Sequence, residues 1–257
     1  MKNIITLVKF DLKKYWSISR IITFMIFAII INFFVLVPNY FNFPVTEIKI
    51  NMLTIMQGLL SFFVPVSVLF FTGAIIFSDK RSFYLRTILT RPISRDEYLF
   101  SKYLFSLINL LIATLFFAIF PTILSFIIYN DNGESGFFQY FFTYLFYIIE
   151  GLLFISISIT LSFVVNSYLN IFMLAIWIFL ENTLINGVLA NFVSYSKSLA
   201  IITDFFFPSG FSDAAKLIGN VGVLFWESLL WGLTALAFFF TLSIYLNSKT
   251  KIDTISE

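Results

Sequence analysis

Cysteine and histidine are both missing from these 257 residues. Without Cys there is no disulfide, no thiolate nucleophile and no Cys-based metal site. Without His the usual proton switch and the commonest metal ligand are gone, so zinc-dependent membrane proteases that use histidine ligands are excluded. Charge is scarce as well. Asp, Glu, Lys and Arg make up 12% of the chain, against roughly 25% in a soluble globular domain. That is about half of what a water-facing surface requires. No internal repeat, low-complexity linker or soluble domain is present. No G-x-x-x-x-G-K-[ST] phosphate-binding loop occurs either, and none of the ten glycines is followed by Lys.

What is there is apolar. Sixty per cent of residues are hydrophobic and 21% aromatic, with 37 Phe and a mean hydropathy of +0.95. The chain must place most of its surface in lipid. Crossing a hydrocarbon core takes roughly 20 mostly apolar residues, and six runs qualify, at about 21–37, 52–77, 103–129, 137–165, 168–190 and 221–246. The expected fold is an all-α membrane protein, a single permease-like domain over residues 1–257. Most of the Phe rings are expected in lipid or in packing.

Basic residues favour the cytoplasmic ends of spans. Lys2, Lys9, Lys13, Lys14, Arg20, Lys80, Arg81, Arg86, Arg91, Arg95, Lys102, Lys249 and Lys251 fall on one side; Lys49, Lys197 and Lys216 fall on the other. Both termini and residues 78–102 are therefore expected in the cytoplasm. The first residues do not read as a signal peptide, because Lys9, Asp11, Lys13 and Lys14 interrupt any apolar core. On a helical wheel Ile4, Ile5, Val8, Leu12, Tyr15 and Trp16 share a face, with Lys2, Lys9 and Lys13 beside it and Leu7 and Phe10 off the stripe. Residues 1–19 thus read as an amphipathic helix in the inner interface, lysines towards anionic headgroups. A cytoplasmic extension of the first span is the alternative.

The segment SDKRSFYLRTILTRPISRDEYLFSK, residues 78–102, carries six of the sixteen Lys and Arg residues. Ser78 is a candidate N-cap with Asp79 in the first turn. Phe83, Tyr84 and Ile88, with Leu85 and Leu89, make a short amphipathic helix. Arg91-Pro92 ends it, since the residue before proline is pushed out of the α region. Ser94 and Glu97 then read as a capping box that starts the next helix. A lipid-anchoring role would account for the arginines, but not for the apolar side chains among them.

The string DKRSFYLRTILTRPISRDEYLFSK resembles the cytoplasmic loop of ABC-2 type permeases, the membrane subunits of ATP-binding-cassette exporters. Asp79 stands where members often have Glu, and Ser82 and Phe83 stand where Gly is common. The resemblance implies that Asp79, Arg81, Phe83, Tyr84, Arg86, Ile88, Arg91, Pro92 and Arg95 couple to a separate ATPase subunit through a coupling helix. It implies ATP and Mg on that partner and no cofactor in this chain. It also implies a homodimer or a second permease, and a bacterial inner (plasma) membrane location. The apolar stretch 191–222, with its Pro208-Ser209-Gly210 turn, corresponds to an outer re-entrant gate.

Glu150, Glu181 and Glu227 fall inside or near apolar runs. A carboxylate in a bilayer faces a cavity, a partner or a substrate; structural hydrogen bonding and a patch for cationic cargo both remain open. Pro65 and Pro121 are expected to kink the helices flanking the loop and are candidate hinges. Trp177, Trp226 and Trp231 suit membrane interfaces. The expected function is an exporter subunit, without enzymatic activity of its own, for an amphipathic or hydrophobic cargo. A peptide toxin or bacteriocin fits best, by likeness to the permeases of such exporters. Export of a drug, lipid-linked glycan or sodium, or an ATPase-independent carrier or scaffold, are the alternatives.

Overall fold

The computed structural model describes residues 2–18, 21–22, 24–26, 29–30, 52–72, 79, 93–123, 137–164, 175–176 and 223–249. Every described element is helical: α1 (Lys2–Tyr15), α2 (Met52–Phe71), α3 (Arg95–Thr114), α4 (Phe137–Val164) and α5 (Val223–Lys249). The segments Arg95–Ile123, Phe138–Val164 and Phe225–Lys249 are each long and apolar enough to cross a membrane, and Met56–Leu69 is a shorter apolar helix. Within the first expected span, residues 21–22, 24–26 and 29–30 are helical; of the fifth, only 175–176 lie among the described residues. Residues 80–92 and 191–222 lie outside them.

The start of α3 follows from its sequence. Ser94 Oγ accepts the Glu97 backbone N–H and Glu97 Oε2 accepts that of Ser94, both at 3.1 Å. This is the reciprocal capping box expected from the residue types. Its far end is shaped by Pro121. Proline has no N–H to give to the carbonyl four residues back, and its ring presses on that carbonyl. Just before it, residues Leu115–Ile119 widen into a π-helical turn, with the Phe120 N–H reaching Leu115 O. Such turns relieve strain in an otherwise α-helical run. Pro65, by contrast, is buried within an unbroken α2.

α4 is the centre of the bundle. Leu153, Phe154, Ile155, Ile157 and Ile159 are buried there with Leu60, Val64 and Val68 of α2 and Leu99 and Leu110 of α3. Gly151 permits the closest approach, since a methyl group there would overlap Cδ2 of Leu110. Thr114–Tyr144 and Leu110–Gly151 contacts show α3 and α4 running antiparallel. α4 and α5 run parallel: Phe146 meets Phe225, and Thr160 Oγ1 donates to Phe239 O, at the same sequence offset of 79.

α1 runs lengthwise beside the first turns of α3. Asn3 meets Glu97, Asp11 meets Lys102, Trp16 Nε1 donates to Asn109 Oδ1 at 2.7 Å, and Phe24 packs edge-on against Phe117. The offset stays within a few residues throughout, so α1 and the helical residues after it climb one path along α3. The buried face differs from the wheel. Leu7, Val8 and Asp11 are buried while Ile5 is 55% exposed. The stripe is turned towards Leu7 because Leu7 packs on Tyr98, and Asp11 has a charged partner inside.

Candidate functional site

Asp79 opens the 79–102 segment and Lys102 closes it. The two meet in the protein interior, Lys102 Nζ lying 2.6 Å from Asp79 Oδ2. α1 completes the cluster. Asp11 Oδ2 accepts from the same ammonium at 2.7 Å, and Lys14 Nζ reaches Asp79 Oδ1 at 3.1 Å. Tyr98 OH donates to Asp79 Oδ2 at 3.2 Å, and the Lys102 ammonium sits 5.0 Å from the centre of the Tyr98 ring. Asp11, Asp79 and Lys102 are at most 2% exposed, whereas the Lys14 side chain is 43% exposed.

Burying these ions carries a desolvation penalty of several kcal/mol each, offset only where geometry is good and further hydrogen bonds are made. Here Asp79 receives bonds from Lys14, Tyr98 and Lys102. Asp11 is less well compensated. Burial pushes its carboxyl pKa up, and the attraction and hydrogen bond of Lys102 offset only part of that. The cation–π contact adds to the hold on Lys102. What results is a tie whose value lies in geometry: the two ends of the 79–102 segment are fixed to each other and to α1.

A second fastening joins the same region to α5. Arg95 Nη1 donates to Ser248 O at 3.3 Å, and Asn247 Nδ2 donates to Arg95 O at 3.2 Å. A guanidinium near the last carbonyls of α5 also suits the negative end of that helix. Deeper in, Tyr103 OH and Ser243 Oγ are 2.9 Å apart. The far end of the 79–102 segment is thus held by α1 and α5 together.

Of the residues singled out in the sequence, Asp79 and Arg95 belong to this base. Arg81, Phe83, Tyr84, Arg86, Ile88, Arg91 and Pro92 lie outside the described residues, as does Glu181. Glu150 is buried on α4 at 5% exposure, while Glu227 is on the exposed face of α5. The offset of 79 puts Glu150 level with Leu229, about 3 Å in depth from Glu227 at 1.5 Å per residue. The two share a depth but not a face.

Sequence reasoning passed over Asp11, Lys14, Tyr98 and Lys102. A signal existed for Asp11, which sits between Val8, Leu12 and Tyr15 on the apolar face of α1, where an acid demands a base. Among the described residues no group of His, Cys, Asp or Glu side chains is arranged to hold a metal ion.

The class that the fold and base define is an α-helical protein with membrane-spanning character. No protein-family model and no curated protein matches this chain.

Proposed function

We propose that the chain is the transmembrane permease subunit of an ATP-driven exporter, with residues 79–102 as its contact to a separate ATPase. The observation that carries this reading is the Asp79–Lys102–Asp11 tie. A loop that only anchored lipid headgroups would not need its ends locked by buried ions to two further helices. A loop that receives force does, because slack at its base would absorb the movement. The exposed Lys9 and Lys13 of α1 suit anionic headgroups at the inner surface.

Helix directions support six spans. The residues around Phe24 follow the direction of α3. α2 runs opposite to it, since Phe63 stacks on Phe117 while Phe71 lies by Tyr15 and Trp16 near the base. α4 opposes α3, and α5 parallels α4. Two parallel spans require a return pass between them, and the apolar run 168–190 is the candidate. The N-terminal segment, the base and the end of α5 then share the cytoplasmic side, in keeping with their basic residues. The sequence resemblance to ABC-2 permeases supplies the rest: a dimeric transmembrane unit in the inner membrane, ATP and Mg on the partner, and an amphipathic or hydrophobic cargo, best matched by a cationic peptide.

The test is co-expression with an ATP-binding-cassette ATPase encoded beside this chain, purification through a tag on the permease, and an assay of ATP hydrolysis. A stable complex, lost on replacing Tyr84, Arg86 and Ile88 together by Ala while the permease stays folded, supports the reading. Purification of the permease alone with that ATPase present overturns it in favour of an ATPase-independent carrier or scaffold.

A further inference from the structure

Two groups of Ser and Thr hydroxyls inside this bundle differ in how they are satisfied. Ser156, Thr160 and Ser162 on α4, Thr114 at the end of α3 and Thr122 beyond the π-turn each donate to a carbonyl four residues back, at 2.7–3.0 Å. That is the usual local way to satisfy a hydroxyl in an apolar helix. Thr143 and Ser158 of α4, Ser106 of α3 and Thr72 at the end of α2 are all at most 2% exposed. Their hydroxyls have no hydrogen-bond partner among the described residues.

Their placement is not scattered. Along α4, Thr143, Tyr147, Glu150, Phe154 and Ser158 recur at intervals of three and four residues and so share one face. Gly151 borders that face, and Leu110 of α3 and Val64 of α2 close in on it there. Counting towards the base from this closure, Ser158 lies seven residues along α4, Thr72 eight along α2 and Ser106 four along α3. Thr143, Tyr147 and Glu150 lie on the other side of it. Polar groups therefore gather above and below one apolar constriction, and the lower group stands over the Lys102 cluster.

We propose that this face of α4 is a water-admitting seam within a single chain, selective for cationic groups. It is closed here where Leu110 and Val64 meet Gly151, and it opens when α3 and α2 draw away from α4. A buried hydroxyl without a partner is a standing cost of the closed packing, relieved once water reaches it. Glu150 is the one acid on the face, and a carboxylate in a low-dielectric wall raises the local concentration of cations over anions. The ligand class is a primary ammonium or similar small cationic group, as on a basic peptide side chain. This deepens the exporter reading by naming what passes. Its test needs no ATPase, so the two succeed or fail separately.

The absence of native Cys makes the test clean. Single variants Ser158→Cys and Thr143→Cys lie on the seam. Ile155→Cys is buried in the core, and Thr160→Cys faces α5. Each is exposed in membrane vesicles to aminoethyl methanethiosulfonate, a cation, or sulfonatoethyl methanethiosulfonate, an anion. Exposure lasts minutes, long enough to sample openings in the microsecond-to-second range. The expected result is modification at residues 143 and 158 with the cation faster by about tenfold, and little at 155 and 160. Glu150→Gln in the Thr143→Cys background should abolish the preference. Gly151→Ala should slow modification from the base side at residue 143 more than at 158. If Ser158→Cys fails to fold, Ser106→Cys serves in its place. Equal rates at seam and control positions, no modification at either seam position, or a cation preference that survives Glu150→Gln would overturn the proposal.

Discussion

The base of this protein and the interior of α4 solve the same problem in opposite ways. Both place polar groups away from water. At the base, full charges are gathered so that each meets its opposite: one ammonium, two carboxylates and the half-exposed Lys14. Within α4 the polar groups are mostly hydroxyls spread along the helix, and Ser156, Thr160 and Ser162 return their proton to their own backbone. Charges bind distant parts of the chain together because none can be satisfied locally. Hydroxyls can be satisfied locally, so they leave neighbouring helices free to shift. The base is built to hold, and the interior of α4 is compatible with movement.

The most severe way to break this contrast is Lys102→Met, which leaves Asp11 and Asp79 buried without their shared cation. Removing one partner of a buried pair costs about 3–5 kcal/mol. A large fall in thermal midpoint and in folded yield in detergent is expected, whereas no change would mean that the cluster is not buried. Gly151→Ala forces a methyl against Leu110, for a loss of about 1–3 kcal/mol. Leu110→Ala in the same molecule should recover part of it, and simple additivity in a double-mutant cycle would show that the two sites do not touch.

A smaller effect sharpens the electrostatic side. Burial raises the Asp11 pKa above its ordinary 3.8, so the folded protein favours the protonated form more than the unfolded chain does. The stability tied to that proton is complete below the ordinary value and is lost as pH rises through the raised one. Asp11→Asn removes this dependence. Its thermal midpoint relative to the parent should therefore climb with pH, and a flat difference would contradict the assignment. The smallest change belongs to Glu227→Gln. On an exposed face it should move stability by no more than about 0.5 kcal/mol, as read by the same melting measurement.

Local chemistry was readable in advance, and long-range pairing was not. Ser94 and Glu97 are three residues apart, so their capping box could be written down from residue types alone. Pro121 likewise announced a disturbance, although the form it takes, a π-turn over Leu115–Ile119, depends on how the freed carbonyls settle. Three of the apolar runs correspond to helices long enough to cross a membrane, and the helix of the run at 103–129 starts earlier, at Arg95. Asp11 and Lys102 are 91 positions apart, and nothing in either neighbourhood names the other. The parallel course of α4 and α5 is also a property of packing. Both helices are similarly apolar, yet two thirds of the apolar window of α4 is buried against about a fifth of that of α5. The difference hides in the buried hydroxyls and Gly151, which a sum over hydropathy does not weigh.

Because the stretch between Asp79 and Lys102 begins and ends at a single buried ion pair, its length is decoupled from the rest of the molecule. The entropy of closing a chain between fixed ends grows slowly with its length, about 0.6 kcal/mol for each doubling. Residues 80–92 can therefore be exchanged, extended or redrawn as a cassette while the helices beneath keep their places. If the proposed permease reading holds, a change of ATPase partner needs new sequence only inside that closed ring.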